Sequence, residues 1–370
     1  MTEESGLTVS LHQQAPIPLA ADFACAAGEV LALVGPSGSG KSTILRAIAG
    51  TYRPQSGQVH VNSETWLETQ RGLNRPAHHR AVGMVFQSYA LFPHMTALGN
   101  IKAAMAKAAR SEQERRGREL LEMVHLSGLE SRYPAELSGG QQQRVAVARA
   151  LARQPKALLL DEPFSAVDKA TRQRLYREIA QLRQNLDMPV VLVTHDLDEA
   201  IMLADRLVVL HRGRTLQSGP PEEVINRPAS PDIARLVELR NLFEGRLLEM
   251  KTGSRQGILD WAGLHMEVSV PPGIELGQIV DWVVPDGFVV LHRRDRPSRG
   301  EHENPVPGII GQALKVGQTT HITLYPDHAP NLPLHFSVPQ HVAQRNAIET
   351  GVRAAVSLLV KGIHLMARSG

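Results

Sequence analysis

"VLALVGPSGSGKST" runs from Val30 to Thr43, and the fold follows from how it is read. Five apolar residues make a short buried strand. A glycine-rich turn follows, and "KSTILRAIAG" then opens a helix. The order strand–loop–helix gives meaning to the G-x-x-x-x-G-K-[ST] spacing of Gly35, Pro36, Ser37, Gly38, Ser39, Gly40, Lys41 and Ser42. Glycines let backbone N–H groups turn inward on phosphates, and the helix N-terminus adds its positive end. Lys41 is expected to bridge the β- and γ-phosphates of a nucleotide. Ser42 is expected to ligate Mg²⁺, with Thr43 beside it on the phosphates.

A second strand tip points the same way. "ALLLDEPFSAVD" (157–168) ends four apolar residues on two adjacent carboxylates, Asp161 and Glu162. A parallel strand ends at the sheet edge where a phosphate loop also sits. Asp161 is placed to hold the Mg²⁺ shell, through water or Ser42. Glu162 points elsewhere and can reach an attacking water. That division of labour is what phosphoryl transfer needs, since it is mostly positioning and electrostatics. Pro163 argues against a plain helix cap. His195, after "VVLVT", is another polar residue at the tip of a buried strand. It can hydrogen-bond the γ-phosphate or hold the water with Glu162.

Working outward, residues 1 to about 232 alternate β-rich runs with helical stretches. "VGMVF" (82–86), "ALLL" (157–160) and "VVLVT" (190–194) join "VLALV" as expected buried strands. The alternation argues for a mostly parallel sheet with helices on both faces. After "NRPASPDIARLVELRN" the texture changes. Residues 243–370 are rich in Gly, Pro and short β-type runs, which suggests a small five-stranded, OB-like barrel. "RRDRPSRGEHENPVPG" (293–308) is a charged loop within it. No true repeat is legible, although two halves of similar length flank that loop.

Composition sets the outer bounds. The 370 residues suit two domains, and 42% hydrophobic residues with 4% aromatics imply an aliphatic core. A net charge of +3 is too small to argue for nucleic acid. Cys25 is the single cysteine, so no disulfide forms within the chain and a reducing compartment fits. It reads as a buried, inert thiol. No apolar run approaches the roughly 20 residues of a membrane helix, and "MTEESG" lacks the core of a signal peptide. A soluble chain is expected.

"LSGGQQQRVAVARAL" (137–151) is the most specific motif. Ser138 can cap a long helix whose start exposes the N–H groups of Gly139 and Gly140, a second phosphate-binding terminus in one chain. One nucleotide does not need both from one subunit; two subunits back to back would use both. With the phosphate loop and the carboxylate pair, the motif resembles the ATP-binding subunits of ABC transporters over residues 1–232.

The resemblance implies an α/β P-loop NTPase core of the ABC type, with a mixed sheet and a helical subdomain, at residues 1–235. A C-terminal β-rich, TOBE-type regulatory domain would occupy residues 236–370. It implies ATP and Mg²⁺ as cofactors and a homodimer around two ATP. Each site would take Gly35–Thr43 from one copy and Leu137, Ser138, Gly139, Gly140 and Gln141 from the other. Gln87 resembles the loop glutamine that senses Mg²⁺ and water. Asp168 resembles the acid linking the two sites, and His195 the switch histidine. The family offers an aromatic near the N-terminus to stack on adenine. Here "LTVSLHQQAPIPLAADF" gives only His12 as the nearest candidate, since Phe23 alternates like core. "SYALFPHMTALGN" (88–100) would present Tyr89, Phe92, Pro93 and Met95 to a helix of a membrane permease.

Binding-protein-dependent importers are the best match, which places the chain peripherally on the cytoplasmic face of the inner membrane and makes a periplasmic solute-binding protein an indirect partner. The tail looks closest to the molybdate/anion branch, with sulfate, ferric iron, polyamine or sugar as alternatives. A soluble ABC ATPase acting on ribosomes or nucleic acid is the different-class reading. One ATPase core, no coiled-coil insertion and near-neutral charge speak against it. An oligonucleotide-binding tail would want an aromatic platform, but Trp261, Trp282, Phe288, Tyr325 and Phe336 are scattered.

Overall fold

The apolar runs read as strands become neighbours in one sheet. The computed structural model describes residues 6–165, 167, 172, 176, 186–251, 255–293 and 303–368. Two compact units divide at Pro221/Glu222. The first holds β1 (Gly6–Gln13), β2 (Leu19–Ala26), β3 (Val30–Val34), β4 (Ser56–Val61), β5 (Glu64–Glu68), β6 (Leu73–Asn74), β7 (Val82–Val85), β8 (Ala157–Asp161), β9 (Val190–Thr194), β10 (Arg206–His211) and β11 (Arg214–Gly219). Their order is β6-β5-β4-β1-β2-β11-β10-β3-β9-β8-β7.

The sheet is mixed, as the family resemblance implies, rather than mostly parallel as the strand–helix alternation alone suggests. β10, β3, β9, β8 and β7 run parallel. β1, β2, β4, β5 and β6 pair antiparallel, as do β10 and β11. Burial explains the two textures. β3 and β9 are buried at every residue, as strands covered on both faces must be. β1 and β2 alternate, with Leu7, Val9 and Leu11, and Ala21, Phe23 and Cys25, turned inward. Cys25 is buried as expected, and burial pushes its thiol up to about 12.

Helices cover both faces of the parallel part. Among the described elements these are α1 (Lys41–Ala49), α2 (Ala97–Ala104), α3 (Arg110–Met123), α4 (Gly139–Leu151) and α5 (Leu197–Leu203). Leu158 and Leu160 of β8 pack in one core with Leu98, Ile101, Leu120 and Val145 of the helical subdomain α2–α4. Ala157 and Leu159 face the other core, with Ile44, Leu45 and Ile48 of α1. Arg80 fixes the far end of α1. Its fully buried guanidinium donates to Ala47 O at 2.7 Å and Ile48 O at 2.6 Å, a cation on the negative end of a helix.

The second unit begins 14 residues before the boundary expected at 235/236, and takes the helix Pro231–Leu236 with it: Ala234 packs on Val283 and Met366. It is mainly β, as expected, but with two five-stranded sheets rather than one. Its strands are β12 (Leu242–Met250), β13 (Gln256–Trp261), β14 (Leu264–Ser269), β15 (Ile279–Val283), β16 (Val289–Leu291), β17 (Glu303–Val316), β18 (Thr319–Pro326), β19 (Leu334–Pro339), β20 (Arg353–Leu359) and β21 (His364–Ala367). The sheets are β14-β13-β12-β15-β21 and β16-β20-β17-β18-β19.

These sheets are two copies of one plan, the repeat not legible in the sequence. β12 to β16 match β17 to β21 in order, and the last strand of each half sits in the other half's sheet. Bulges fall at Leu247/Glu249 and at Ile310/Gln312. Asn241 and Asn304, both buried, make matching clamps. Asn241 donates to Val284 O (3.1 Å) and His335 O (2.7 Å) and accepts from His335 N (2.7 Å). Asn304 donates to Leu358 O (3.2 Å) and Glu267 O (2.9 Å) and accepts from Glu267 N (2.7 Å). Four residues on, a side chain at Gly245 or Gly308 would meet a carbonyl across the hairpin, Asp260 O at 2.9 Å or Tyr325 O at 2.4 Å. Asn241→Ala and Asn304→Ala are each expected to cost about 3 kcal/mol, since buried backbone groups lose their partners. Urea unfolding followed by fluorescence, with Trp261 and Trp282 both in this unit, checks the size and the equality of the two losses.

Candidate active site

Four parallel strands deliver the site. β3, β9, β8 and β7 lie side by side, and their carboxyl ends lead to Gly35, His195, Asp161–Glu162 and Gln87. These candidates therefore share one sheet edge.

Gly35 turns the chain at φ 154°, where an added Cβ would lie 2.1 Å from Leu210 O. α1 then begins at Lys41 with no side-chain cap, so its first N–H groups are free of intrahelical partners. Ser39 Oγ is buried without a partner. Uncapped N–H groups and a lone buried hydroxyl around a glycine turn suit phosphate oxygens. Lys41 is 6% exposed and donates to Gly35 O (2.6 Å) and Pro36 O (3.0 Å). Burial lowers its pKa, opposed by Glu162 and Asp161. Thr43 is half-buried beside it, while Pro36, Ser37 and Gly38 are exposed.

Ser42 Oγ donates to Asp161 Oδ1 at 3.1 Å. Burial raises the Asp161 pKa, against the Ser42 hydrogen bond. Among the described residues no cluster of three or more His, Cys, Asp or Glu could hold a metal. A hydroxyl and one carboxylate, with phosphate oxygens and water to complete the shell, fit Mg²⁺, which keeps much of its water.

Glu162 is held apart from its neighbour by its backbone. Its φ is +45°, its N–H donates to Val193 O at 2.9 Å, and its C=O accepts from Ser165 Oγ at 2.9 Å. That left-handed step aims the two adjacent carboxylates differently. Glu162 Oε2 lies 3.3 Å from Gln87 Nε2 and 3.3 Å from His195 Nδ1. Three residues from three strand ends thus meet on one oxygen. A cleft of about 410 Å³ opens here, lined by Arg46, Phe86, Gln87, Ser88, Asp161 and Ser165.

The signature motif forms its own structure. Ser138 caps α4, accepting from Gln141 N at 3.3 Å, while Gln141 Oε1 accepts from Ser138 N at 2.9 Å, a closed capping box. Leu137 and Gly140 are buried; Ser138 and Gly139 are exposed. Among the described residues, the side-chain hydrogen bonds of Leu137–Gln141 are local to the motif and reach none of Gly35–Thr43. Asp168 lies outside the described residues.

One expectation for the permease face is corrected. Tyr89 is 4% exposed, a core residue rather than an anchor, because Arg149 draws its backbone down through Tyr89 O (2.8 Å) and Ala90 O (2.6 Å). Phe92 and Pro93 are exposed, and Met95 is partly so. Asn100 holds this turn from inside, accepting from Phe92 N at 2.7 Å. Phe86, exposed and one residue before Gln87, was missed; as the last residue of "VGMVF" it reads as strand.

His12 lines a separate cleft of about 550 Å³ with Gln13, Pro18, Leu19, Gln55 and Arg214. Leu19 lies against Gly40, 3.1 Å from where its Cβ would stand, so the cleft adjoins the phosphate loop. Phe23 is core. In the second unit, Trp261, Trp282 and Phe336 are fully buried and offer no stacking surface.

A family model described as "ABC transporter" matches residues 20–165. The spermidine/putrescine import ATP-binding protein of Oleidesulfovibrio alaskensis is 40% identical over 302 residues, covering 80% of this chain and 78% of that one. The sulfate/thiosulfate import ATP-binding protein of Ralstonia nicotianae is 38% identical over 303 residues, with the same coverage. Among solved structures, cbiO1 from Clostridium perfringens, part of an ABC transporter complex, has a TM-score of 0.54 at 25% identity. It covers 60% of this chain and 91% of its own.

Proposed function

This chain belongs to the ABC transporter family of ATP-binding proteins, and on that premise we propose that it powers a binding-protein-dependent importer. It is an ATPase that uses ATP with Mg²⁺. The meeting of Gln87, Glu162 and His195 on one carboxylate oxygen carries the catalytic reading. Lys41 and the N-terminus of α1 bind the phosphates, and Ser42 with Asp161 holds the metal. Mg²⁺ supplies charge neutralisation for the phosphate oxygens. Glu162 orients the attacking water and takes its proton, while Gln87 and His195 fix the carboxylate and the water.

The site is completed by a second copy. Ser138, Gly139 and Gln141 present a capped helix start whose bonds do not reach their own phosphate loop, so they serve a nucleotide held by another subunit. Asp168 would link the two sites. Phe86, Phe92, Pro93 and Met95 offer the apolar face that a short permease helix needs. The chain then works as a peripheral subunit at the cytoplasmic face of the membrane; among the described residues no helix is long and apolar enough to cross one. Residues 236–370 act as a regulatory domain. The match to the polyamine relative spans 302 residues, longer than the first unit, and so reaches into this region.

For the cargo we keep an oxyanion and replace molybdate by sulfate/thiosulfate, which the names of several relatives carry. A polyamine is the second reading, on the Oleidesulfovibrio relative. Lys315, Ser337, Arg345 and Lys361, which could meet an oxyanion, lie on separate elements, and the three cations are exposed. The test is ATPase activity in proteoliposomes that hold a sulfate-type or a polyamine-type permease, each with its binding protein. Sulfate-loaded binding protein should raise turnover about tenfold, ~1.4 kcal/mol in the barrier. Stimulation by spermidine instead selects the second reading, and no stimulation by either overturns both.

A further inference from the structure

Behind His195 lies a buried acid that the catalytic reading does not use. Glu199, on the first turn of α5, is 4% exposed. Its Oε2 accepts from Thr194 Oγ1 at 2.8 Å, while its Oε1 is buried with no partner. The Thr194 hydroxyl in turn accepts from Asp196 N at 2.9 Å. Asp196 caps α5 through Glu199 N at 3.2 Å. These bonds close a ring from Thr194 to Glu199 to Asp196 and back. His195 is the one residue between the two anchored neighbours, and its ring leaves the clasp toward Glu162.

A buried acid usually has a paired cation, and among the described residues Glu199 forms no ion pair; Arg172 acts on it only at a distance. The guanidinium of Arg172 donates instead to Asp196 Oδ2 (3.1 Å) and Val167 O (3.1 Å). The carboxylates of Asp196 and Glu162 add like charge, against the more distant Arg172. A buried acid with an unpartnered oxygen, in a helix that could bury a Leu or Gln there, costs stability. Its placement on the hydroxyl beside His195 gives that cost a purpose.

We propose that Glu199 is a positioning residue for hydrolysis, holding Thr194 and thereby the backbone that aims His195 at Glu162. The inference rests on the reading of His195 as a partner of the γ-phosphate and water. Glu199 touches no reacting atom. It acts by removing freedom from a strand end, because an imidazole misplaced by about 1 Å loses much of its effect. Burial pushes the Glu199 carboxyl up to about 8, against the Thr194 hydrogen bond. Near pH 7 it is chiefly protonated, and glutamine is then its isostere.

The test is steady-state ATPase kinetics on full-length variants. Glu199→Ala should lower kcat about tenfold with KM for ATP unchanged, as expected when a residue acts in the transition state and not in ATP binding. Glu199→Gln, which keeps an acceptor for Thr194, should restore kcat to within about twofold of the parent. Thr194→Val should match Glu199→Ala, and serves if that variant folds poorly. In a His195→Ala background, Glu199→Ala should add nothing further, since the two act as one unit. Three results overturn the proposal: kcat unchanged in both Glu199→Ala and Thr194→Val, no rescue by Gln, or losses that multiply in the His195→Ala background. If His195→Ala alone hydrolyses normally, the reading of His195 fails instead.

Discussion

Glu162→Gln is expected to slow ATP hydrolysis by about a thousandfold, ~4 kcal/mol in the barrier, while ATP still binds. The amide keeps the size of the side chain and its contacts to Gln87 and His195, but it cannot take a proton from water. On the proposed reading phosphate binding rests on Lys41, the start of α1 and Ser42, whose side chains the change leaves in place. The substituted chain should therefore accumulate in its ATP-bound form, seen as an ATP-dependent dimer by size exclusion. Turnover near the parent rate would remove Glu162 from its role, and Asp161 would be the carboxylate to examine next.

The second large effect separates a site within one chain from a site shared by two. Ser138→Arg places a long cation where α4 should present its cap, and Lys41→Ala empties the phosphate loop of its ammonium. Each variant alone breaks both sites of a symmetric dimer. Mixed, they form heterodimers in which the Ser138→Arg copy keeps its Lys41 and the Lys41→Ala copy keeps its Ser138. One site is then whole. ATP-dependent association in the mixture should exceed that of either variant alone at least tenfold, about 1.4 kcal/mol. A mixture no better than its components would place Ser138 and Lys41 in the same subunit's site.

Motif spacing carried most of the candidate site because it encodes backbone geometry. The turn at Gly35, the helix start at Lys41 and the strand ends at Asp161 and His195 are local, and their shared edge follows from parallel pairing. What stayed hidden depends on distant partners. Tyr89 looked like an exposed anchor until Arg149, 60 residues away, drew its backbone into the core. Glu199 reads as one more surface acid in "DLDEAIMLA", and only the Thr194 hydroxyl sets it apart. The antiparallel half of the sheet was open to view in the alternation of "GLTVSLHQ" and "LAADFACA". The duplication in the second unit was not, because little more than an Asn and a Gly four residues on is shared, and those serve the backbone rather than the core.

The exchanged final strands of the second unit set a schedule for its synthesis. β15 leaves the ribosome with β12 already made, but its other neighbour, β21, lies at His364–Ala367. β16 has no neighbour at all until β20 appears. At about 5–20 residues per second, the stretch from Asp281 to Met366 takes about 4–17 s to emerge. For that interval β15 itself is the open edge of its sheet, an unpaired row that can template pairing with another chain. Neither half can close on its own, so the unit forms in one late step, and the chaperones that meet nascent chains have most to guard in that window.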